Sequence, residues 1–236
     1  GAKLLSLGQA LQQQRPLIGN HLGSTAKHRS HPFAALNSFW LEDGLFLYLP
    51  AGCRLKRTIH CLFYMPAGAR SLACYPRLLL ILEQHAEANL VEEYLGETPK
   101  KEDRGIAQFT DALLEARLAN GARLTHCKLL RESMQGHHIA GLHAELQRNA
   151  RFQSFSLALS GAVCRNDIEV RMTAPGAETL LDGLYLLGGR QHLDNHLRID
   201  HLQPGCRSAV FYKGVLCDRA RGVFNSKAVI HPGAQQ

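Results

Sequence analysis

The stretch NDIEVRMTAPGA at residues 166–177 is followed, 29 residues later, by NHLRIDHLQPGC at residues 195–206. Both have the form N-x8-P-G-[A/C], and a third stretch, NSKAVIHPGA at residues 225–234, resembles them but is two residues shorter. We align the three on their asparagines, which are Asn166, Asn195 and Asn225. The alignment also puts a branched apolar residue in one column: Val170, Ile199 and Val229. Such a period indicates a repeat protein, whose short units stack because none can bury its apolar face alone.

Each repeat has the pattern of a β-strand followed by a tight turn. Apolar and polar residues alternate after Asn166, which is typical of a strand with one buried face. Turn signatures recur along the chain: PAGC (50–53), PAGA (66–69), NGA (120–122), PGA (175–177), PGC (204–206) and PGA (232–234). The sequence therefore predicts a mainly β protein, a parallel β-helix in which the asparagines hydrogen-bond along the stack. A propeller is the main alternative, but its blades usually need about 40 residues or more.

The first 35 residues have a different pattern and are expected to form a separate N-terminal segment, with the β-helix core spanning residues 36–236. KLLSLGQALQQQ (3–14) contains helix formers, with Leu4, Leu5, Leu7 and Leu11 roughly on one stripe, and the following Arg-Pro is expected to end the helix. The polar stretch NHLGSTAKHRSHP (20–32) is expected to be a linker. A short helical segment thus precedes the solenoid.

Composition argues against several classes of protein. The net charge of +7 is spread among interleaved acids and bases, and the longest basic run is Lys100-Lys101, so a nucleic-acid partner is not expected. The longest apolar run, residues 78–82, is far shorter than the ~18 residues of a membrane span. The seven cysteines are an odd number without a C-x-x-C motif, which indicates a reducing, cytoplasmic compartment.

The cysteines are expected to pack as small apolar residues. They are Cys53, Cys61, Cys74, Cys127, Cys164, Cys206 and Cys217. Two of them, Cys53 and Cys206, take the turn position that Ala69, Ala177 and Ala234 take elsewhere. A free cysteine there behaves as a slightly larger alanine.

The stretch GRQHLDNHLRIDH (189–201) raises the question of a metal site, because His192 and His196 have the spacing of two ligands on a helix. On a strand, however, their Cα atoms would lie about 13 Å apart, too far for one ion. His196 takes the outward position of Asp167 and Ser226, whereas His201 is expected on the inward face as a core histidine. The alternative is an outward metal or acid site with Arg198 beside its acids, comprising His192, Asp194, His196 and Asp200.

Five segments carry a resemblance to a known family: DGLFLYLPAGCRL (43–55), RNDIEV (165–170), GLYLLGGRQHLDNHLRIDH (183–201), YKGVL (212–216) and ARGVFNSKAVIHPGAQ (220–235). Together they resemble the SufB/SufD family of iron–sulfur cluster assembly proteins, and the part after residue 183 resembles its SufD branch most. The resemblance implies a right-handed parallel β-helix flanked by helical regions.

The resemblance also implies a non-catalytic scaffold. SufD-like chains pair with SufB and bind SufC, an ATPase of the ABC type, through C-terminal helices that would follow the PGAQ motif. The complex, rather than this chain alone, would handle the iron–sulfur cluster, so no catalytic or cluster-binding residue is assigned. We expect these 236 residues to be the central part of such a protein.

Two other functions stay open at this point. A β-helix enzyme acting on a carbohydrate or through a metal would use the outward residues of 192–200, although the single tryptophan, Trp40, is distant in sequence. A homodimer with paired sheet edges is the third interpretation.

Overall fold

The computed structural model describes residues 1–26, 31–67, 71–97 and 107–235, in which parallel strands form a solenoid of about six turns. The turns contribute strands alternately to a nine-stranded and a six-stranded sheet. Pairing along both sheets is parallel, apart from the antiparallel pair at the start of the nine-stranded sheet. The prediction of a mainly β, parallel solenoid is confirmed.

Fifteen strands and three helices make up the described chain. The nine-stranded sheet comprises β1 (Lys3–Ser6), β2 (Gly44–Leu49), β4 (Leu72–Cys74), β5 (Arg77–Leu82), β7 (Gln108–Leu118), β9 (His137–Leu146), β11 (Val163–Met172), β13 (His192–His201) and β15 (Arg221–Ile230). The six-stranded sheet comprises β3 (Ile59–Met65), β6 (Glu87–Gly96), β8 (Arg123–Arg131), β10 (Arg151–Ala158), β12 (Glu178–Leu187) and β14 (Arg207–Leu216). The helices are α1 (Leu7–Gln13), α2 (Arg15–Gly19) and α3 (Pro32–Phe39).

Alternating apolar side chains from both sheets form the core of the solenoid. In β11, Ile168, Val170 and Met172 are buried, as their alternation predicts. The predicted asparagine ladder is present in part, because Asn166 donates its side-chain amide to the Asn195 oxygen at 2.9 Å, and both residues are buried. Such a bond satisfies polar groups that would otherwise be costly to bury.

The turns that precede the six-stranded sheet stack on one another. Five glycines of the turn signatures have φ between +68° and +82°: Gly52, Gly121, Gly176, Gly205 and Gly233. The same backbone shape is adopted by His85 and Asn149, with φ of 58° and 55°, each followed by an alanine. Backbone bonds join successive turns, as from His85 N to Asn120 O at 2.9 Å. The sixth signature, at 66–69, has its Gly68 and Ala69 outside the described residues.

The alignment of the third repeat is wrong by one residue. In the observed register Asn195 pairs with Phe224, and it is His196 that pairs with Asn225. The equivalent of Ile199 is therefore Ala228, not Val229, and the outward equivalent of His196 is Asn225, not Ser226. The reason is that backbone pairing along β13 sets the register, whereas the alignment relied on asparagine identity, and the column of asparagines ends at Phe224.

The N-terminal segment differs from the expected helix and linker. Lys3–Ser6 is a strand that pairs with β2, so Leu4 and Leu5 are not helical and helix α1 starts only at Leu7. The Arg-Pro pair was expected to end the helical segment, but it begins a second helix, α2, because proline fits the first turn of a helix. The expected boundary after residue 35 falls inside α3.

None of the three helices in the described part of the chain has the length and apolarity that crossing a bilayer requires.

Gly44 provides a test of how closely β2 approaches β5. A Cβ at Gly44 would lie 1.8 Å from the Arg77 carbonyl oxygen, whereas a Cβ at Gly52 would meet no atom within 4 Å. We expect Gly52→Ala to lower the free energy of unfolding by about 1–2 kcal/mol, the cost of its left-handed backbone. Gly44→Ala should cost more than about 3 kcal/mol, because backbone must move. Urea denaturation of both variants measures this, and equal losses would contradict the close approach.

Candidate functional site

The outward residues of β13 form ion pairs rather than a converging metal site. Asp194 lies 2.8 Å from His196 Nε2 through one oxygen and 2.8 Å from Arg165 Nη1 through the other. His196 is half-exposed on the outer face, as predicted. His192 lines a surface depression with three arginines, Arg190, Arg219 and Arg221, which would repel a cation.

Asp200, the fourth residue of that set, is likewise paired with basic side chains. It accepts two hydrogen bonds from Arg198, at 2.8 and 3.0 Å, and its Oδ1 lies 3.0 Å from His231 Nε2. All four candidate residues lie in the described chain, and no three of them bring ligand atoms within 4.8 Å of one another. The acidic residues of the polar stretch 189–201 therefore form ion pairs with arginines and histidines on the outer face of the sheet.

His201 lies on the inward face, as expected, but is only partly buried. It pairs in register with the buried Met172, and its Nε2 lies 2.9 Å from Ser208 Oγ. Burial lowers the pKa of His201. The Ser208 hydroxyl thus provides a hydrogen-bond partner for the neutral imidazole, and His201 has a structural role.

Most of the cysteines pack as expected. Cys164 is fully buried, Cys53 and Cys206 pack against the core, and burial raises the pKa of Cys164 to about 12. Cys61 packs against the same core, and its pKa is raised to about 12 by burial and by the charge of Glu92. Cys217 departs from the expectation, since it is exposed just after β14, the last strand of its sheet.

The solenoid core contains a polar cluster that the sequence analysis missed. Glu92 and Tyr94 of β6 face inward together with His126 and Lys128 of β8. Burial alone would raise the pKa of Glu92, but the hydrogen bond from His126 and the charges of His126 and Lys128 hold it at about 2. Lys128 also donates to Asn166 at 3.0 Å, which joins the cluster to the asparagine ladder. The signal in the sequence is a charged residue at an inward position of an alternating strand.

A buried ion pair attaches the N-terminal segment to the outer face of the nine-stranded sheet. Arg77 and Glu115, on neighbouring strands β5 and β7, are buried and make hydrogen bonds of 2.5 and 3.2 Å. The Glu115 carboxylate also accepts backbone N–H bonds from Gly23, Thr25 and Ala26 at 2.8–3.1 Å. The pKa of Glu115 would be raised by burial, but Arg77 and these donors lower it. The expected linker is therefore docked at residues 23–26.

Helix α3 is fixed to the same face by its polar residues. Asn37 is buried and donates to the carbonyl oxygens of Pro76 and Asp111 at 3.2 and 2.7 Å. Arg77 reaches across to Asn37 Oδ1 and Ser38 Oγ at 3.2 and 2.8 Å. These bonds hold the last turn of α3 against β5 and β7.

Beside α3 lies a groove of about 790 Å³ over the outer face of the sheet. His31 and Phe33 line the side formed by the N-terminal segment, and His143, Glu169 and Arg198 line its floor. Its lining combines apolar and charged groups, the usual character of a ligand site. Two residues of the alternative outward site, His196 and Arg198, thus border a cavity.

Asp111 is the titratable group of this groove with the clearest pKa shift. Its Oδ2 is buried without a hydrogen-bond partner within the described chain. Burial raises the pKa of Asp111 to about 7, an effect that the Arg77 charge opposes. The groove therefore contains a carboxyl group that holds its proton up to neutral pH.

The buried ion pair should dominate the stability of this region. Glu115→Gln leaves the Arg77 charge buried with a weaker partner, and we expect it to lower the free energy of unfolding by about 3–5 kcal/mol. The control is Glu145→Gln, whose partly exposed pairs with Arg117 and Arg171 at 3.2 and 3.4 Å should contribute at most about 1 kcal/mol. Chemical denaturation at pH 7 measures both, and similar small losses would disprove the central role of Glu115.

Asp111 should make stability fall as pH rises. The unfolded chain releases this proton near 3.8 and the folded protein near 7, so the folded state holds an extra proton between these values. The free energy of unfolding of the wild type should therefore decrease, relative to Asp111→Asn, from pH 4 to pH 7 and stay lower above it. Denaturation midpoints of both proteins at several pH values test this, and parallel pH profiles would refute the raised pKa.

Comparison with protein families gives two matches. Residues 64–236 match the model of the SufBD core domain, described as SUF system FeS cluster assembly, and residues 1–61 match the SufBD protein N-terminal region. The resemblance drawn from the segments after residue 43 is confirmed.

Curated relatives agree with this assignment. The chain is 26% identical over 224 residues to an iron–sulfur cluster assembly SufBD family protein of Synechocystis, covering 94% of the chain and 49% of the relative. It is 24% identical over 210 residues to the chloroplastic protein ABCI7 of Arabidopsis thaliana, covering 86% and 43%. It is 26% identical over 159 residues to the iron–sulfur cluster assembly protein SufD of Escherichia coli, covering 67% and 36%.

The chain thus spans about half or less of the length of these three relatives. The core-domain match covers most of the 236 residues, and the parallel solenoid agrees with the fold that the resemblance implies. The chain belongs to the SufBD family.

Proposed function

We propose that this chain is a scaffold subunit of the SUF system of iron–sulfur cluster assembly, without catalytic activity of its own. The observation that carries the proposal is the core-domain match over residues 64–236. The proposed partners are a SufB-like paralogue and a SufC-like ABC ATPase, and the iron–sulfur cluster is the cargo of their complex.

The cysteines support a chain that does not hold a cluster firmly. Cluster ligands are thiolates, and several must converge on one cluster. Burial raises the pKa of Cys61 and Cys164 to about 12 and that of Cys74 to about 11, so these side chains are thiols at neutral pH. All seven cysteines are unpaired, which supports a reducing compartment such as the cytoplasm.

The outer face of the six-stranded sheet supports a protein partner. Leu129, Leu157 and Leu184 are register neighbours on β8, β10 and β12, and all three are partly exposed. Phe155 and Phe211 lie in the adjacent outward row, on either side of Asp182, and are 39% and 66% exposed. Exposed apolar side chains that cluster on a sheet face are typical of an interaction surface. We assign this face, called here the leucine face, to the SufB-like subunit.

Co-purification tests the proposal. The full-length polypeptide that contains this sequence, tagged and co-expressed with the SufB-like and SufC-like proteins of its organism, should retain both. Phe155→Asp should weaken retention of the SufB-like protein because it places a charge within the apolar contact. The control is His196→Asp, at a residue of similar exposure (38%) on the other sheet, which should have no effect.

Three results would count against these assignments. Failure of the wild type to retain either protein would contradict the scaffold function. Equal retention by Phe155→Asp and His196→Asp would contradict the assignment of the leucine face. A self-association of the wild type that Phe155→Asp abolishes would favour a homodimer instead.

A further inference from the structure

Three side chains from distant parts of the sequence meet where the N-terminal segment borders the groove. His31 immediately precedes α3, His143 lies on β9, and Glu169 is the register neighbour of His143 on β11. One ligand atom from each lies within 4.8 Å of the other two. Within the described residues, no other group of three histidine, cysteine or acidic side chains meets this condition.

The distances in this trio are those of metal ligands rather than of hydrogen bonds. Glu169 Oε2 lies 3.4 Å from His31 Nε2 and 3.6 Å from His143 Nδ1. Hydrogen bonds of this kind are roughly 2.7–3.2 Å long. Ligand atoms bound at about 2.1 Å in a tetrahedron lie about 3.4 Å apart.

Other histidine–carboxylate pairs of the same protein provide an internal standard. The N···O distances of His60–Glu93, His126–Glu92 and His196–Asp194 are 2.8, 2.9 and 2.8 Å. Not every such pair is this short, since the His138–Glu132 distance is 3.3 Å, but the 3.4 and 3.6 Å around Glu169 are the longest among the described residues. The longer spacing around Glu169 leaves the room that an ion would occupy.

The burial of His143 adds to this geometry. Its side chain is 2% exposed, and its Nδ1 is buried without a hydrogen-bond partner in the described chain. Such a nitrogen is costly unless a donor, a proton or an ion satisfies it. A bound metal would use the lone pair directly.

The two arginines that line the same groove are paired with other acids, Arg165 with Asp167 and Asp194, and Arg198 with Asp200. The trio opens into the groove, so a further coordination position would face solvent.

We propose that His31, His143 and Glu169 form a binding site for a first-row divalent transition ion, with Zn²⁺ as the best match. Two imidazoles and one carboxylate with tetrahedral spacing are a donor set that zinc favours. Because His31 belongs to the N-terminal segment and the other ligands to the solenoid, the ion would also join the two. This proposal does not depend on the proposed function.

Metal titration tests the site in the full chain. After chelator treatment, Co²⁺ is added as a spectroscopic probe and then displaced by Zn²⁺, with the stoichiometry and affinity measured by absorption and calorimetry. The wild type should bind one equivalent, with a Co²⁺ spectrum of nitrogen and oxygen ligands and without thiolate charge-transfer bands. His31→Ala and His143→Ala should each weaken binding by more than about 100-fold, beyond the cost of losing an outer-shell partner.

Two controls make the result decisive. His192→Ala and His196→Ala remove histidines from the same sheet outside the trio and should leave affinity unchanged. His31 is partly exposed and precedes the solenoid, so His31→Ala should keep the fold, and Zn²⁺ should raise the melting temperature of the wild type but not of this variant. The proposal would be overturned if the wild type showed no saturable binding, or if His31→Ala and His143→Ala bound the ion as tightly as the wild type does.

Discussion

The buried ion pair between Arg77 and Glu115 is the interaction on which the arrangement of this molecule depends. Burying two charges is costly, and here the cost is offset by hydrogen bonds that use both Glu115 oxygens and most of the guanidinium. The same carboxylate binds the backbone of residues 23–26. One electrostatic contact thus fixes two strands of the solenoid and the chain that covers them, and it places α3 beside the groove.

The sequence predicts the solenoid well because its repeat is local. Turn glycines and apolar alternation can be recognised within one repeat, and Asn166 and Asn195 take the same position in two repeats 29 residues apart. The predicted alignment fails where a residue of the same type lies one position away from the true repeat position. Asn225 resembles the ladder residues, but backbone pairing puts Phe224 in that column. The strand at Lys3–Ser6 was missed because its pairing with β2 overrides the helical preference of its leucines.

The groove could not be predicted in the same way, because its residues come from separate coils and from the N-terminal segment. His31, His143 and Glu169 are brought together by the docking of α3 and by strand register, neither of which a local pattern reveals. The dense polar stretch at 189–201 was more conspicuous, yet its acids are bound by arginines and histidines of the same surface. A charged residue within an apolar strand, such as Glu115, is the signal that does identify the docking site.

In this account a SufBD-family solenoid presents an apolar face on one sheet and, on the other, a groove walled by its own N-terminal segment. The N-terminal segment and the solenoid form one structural unit, and hydrogen exchange tests this most directly. The amides of Gly23, Thr25 and Ala26, which donate to Glu115, should exchange as slowly as amides of neighbouring strands. Exchange of all three at the rate of an unstructured chain would contradict the account.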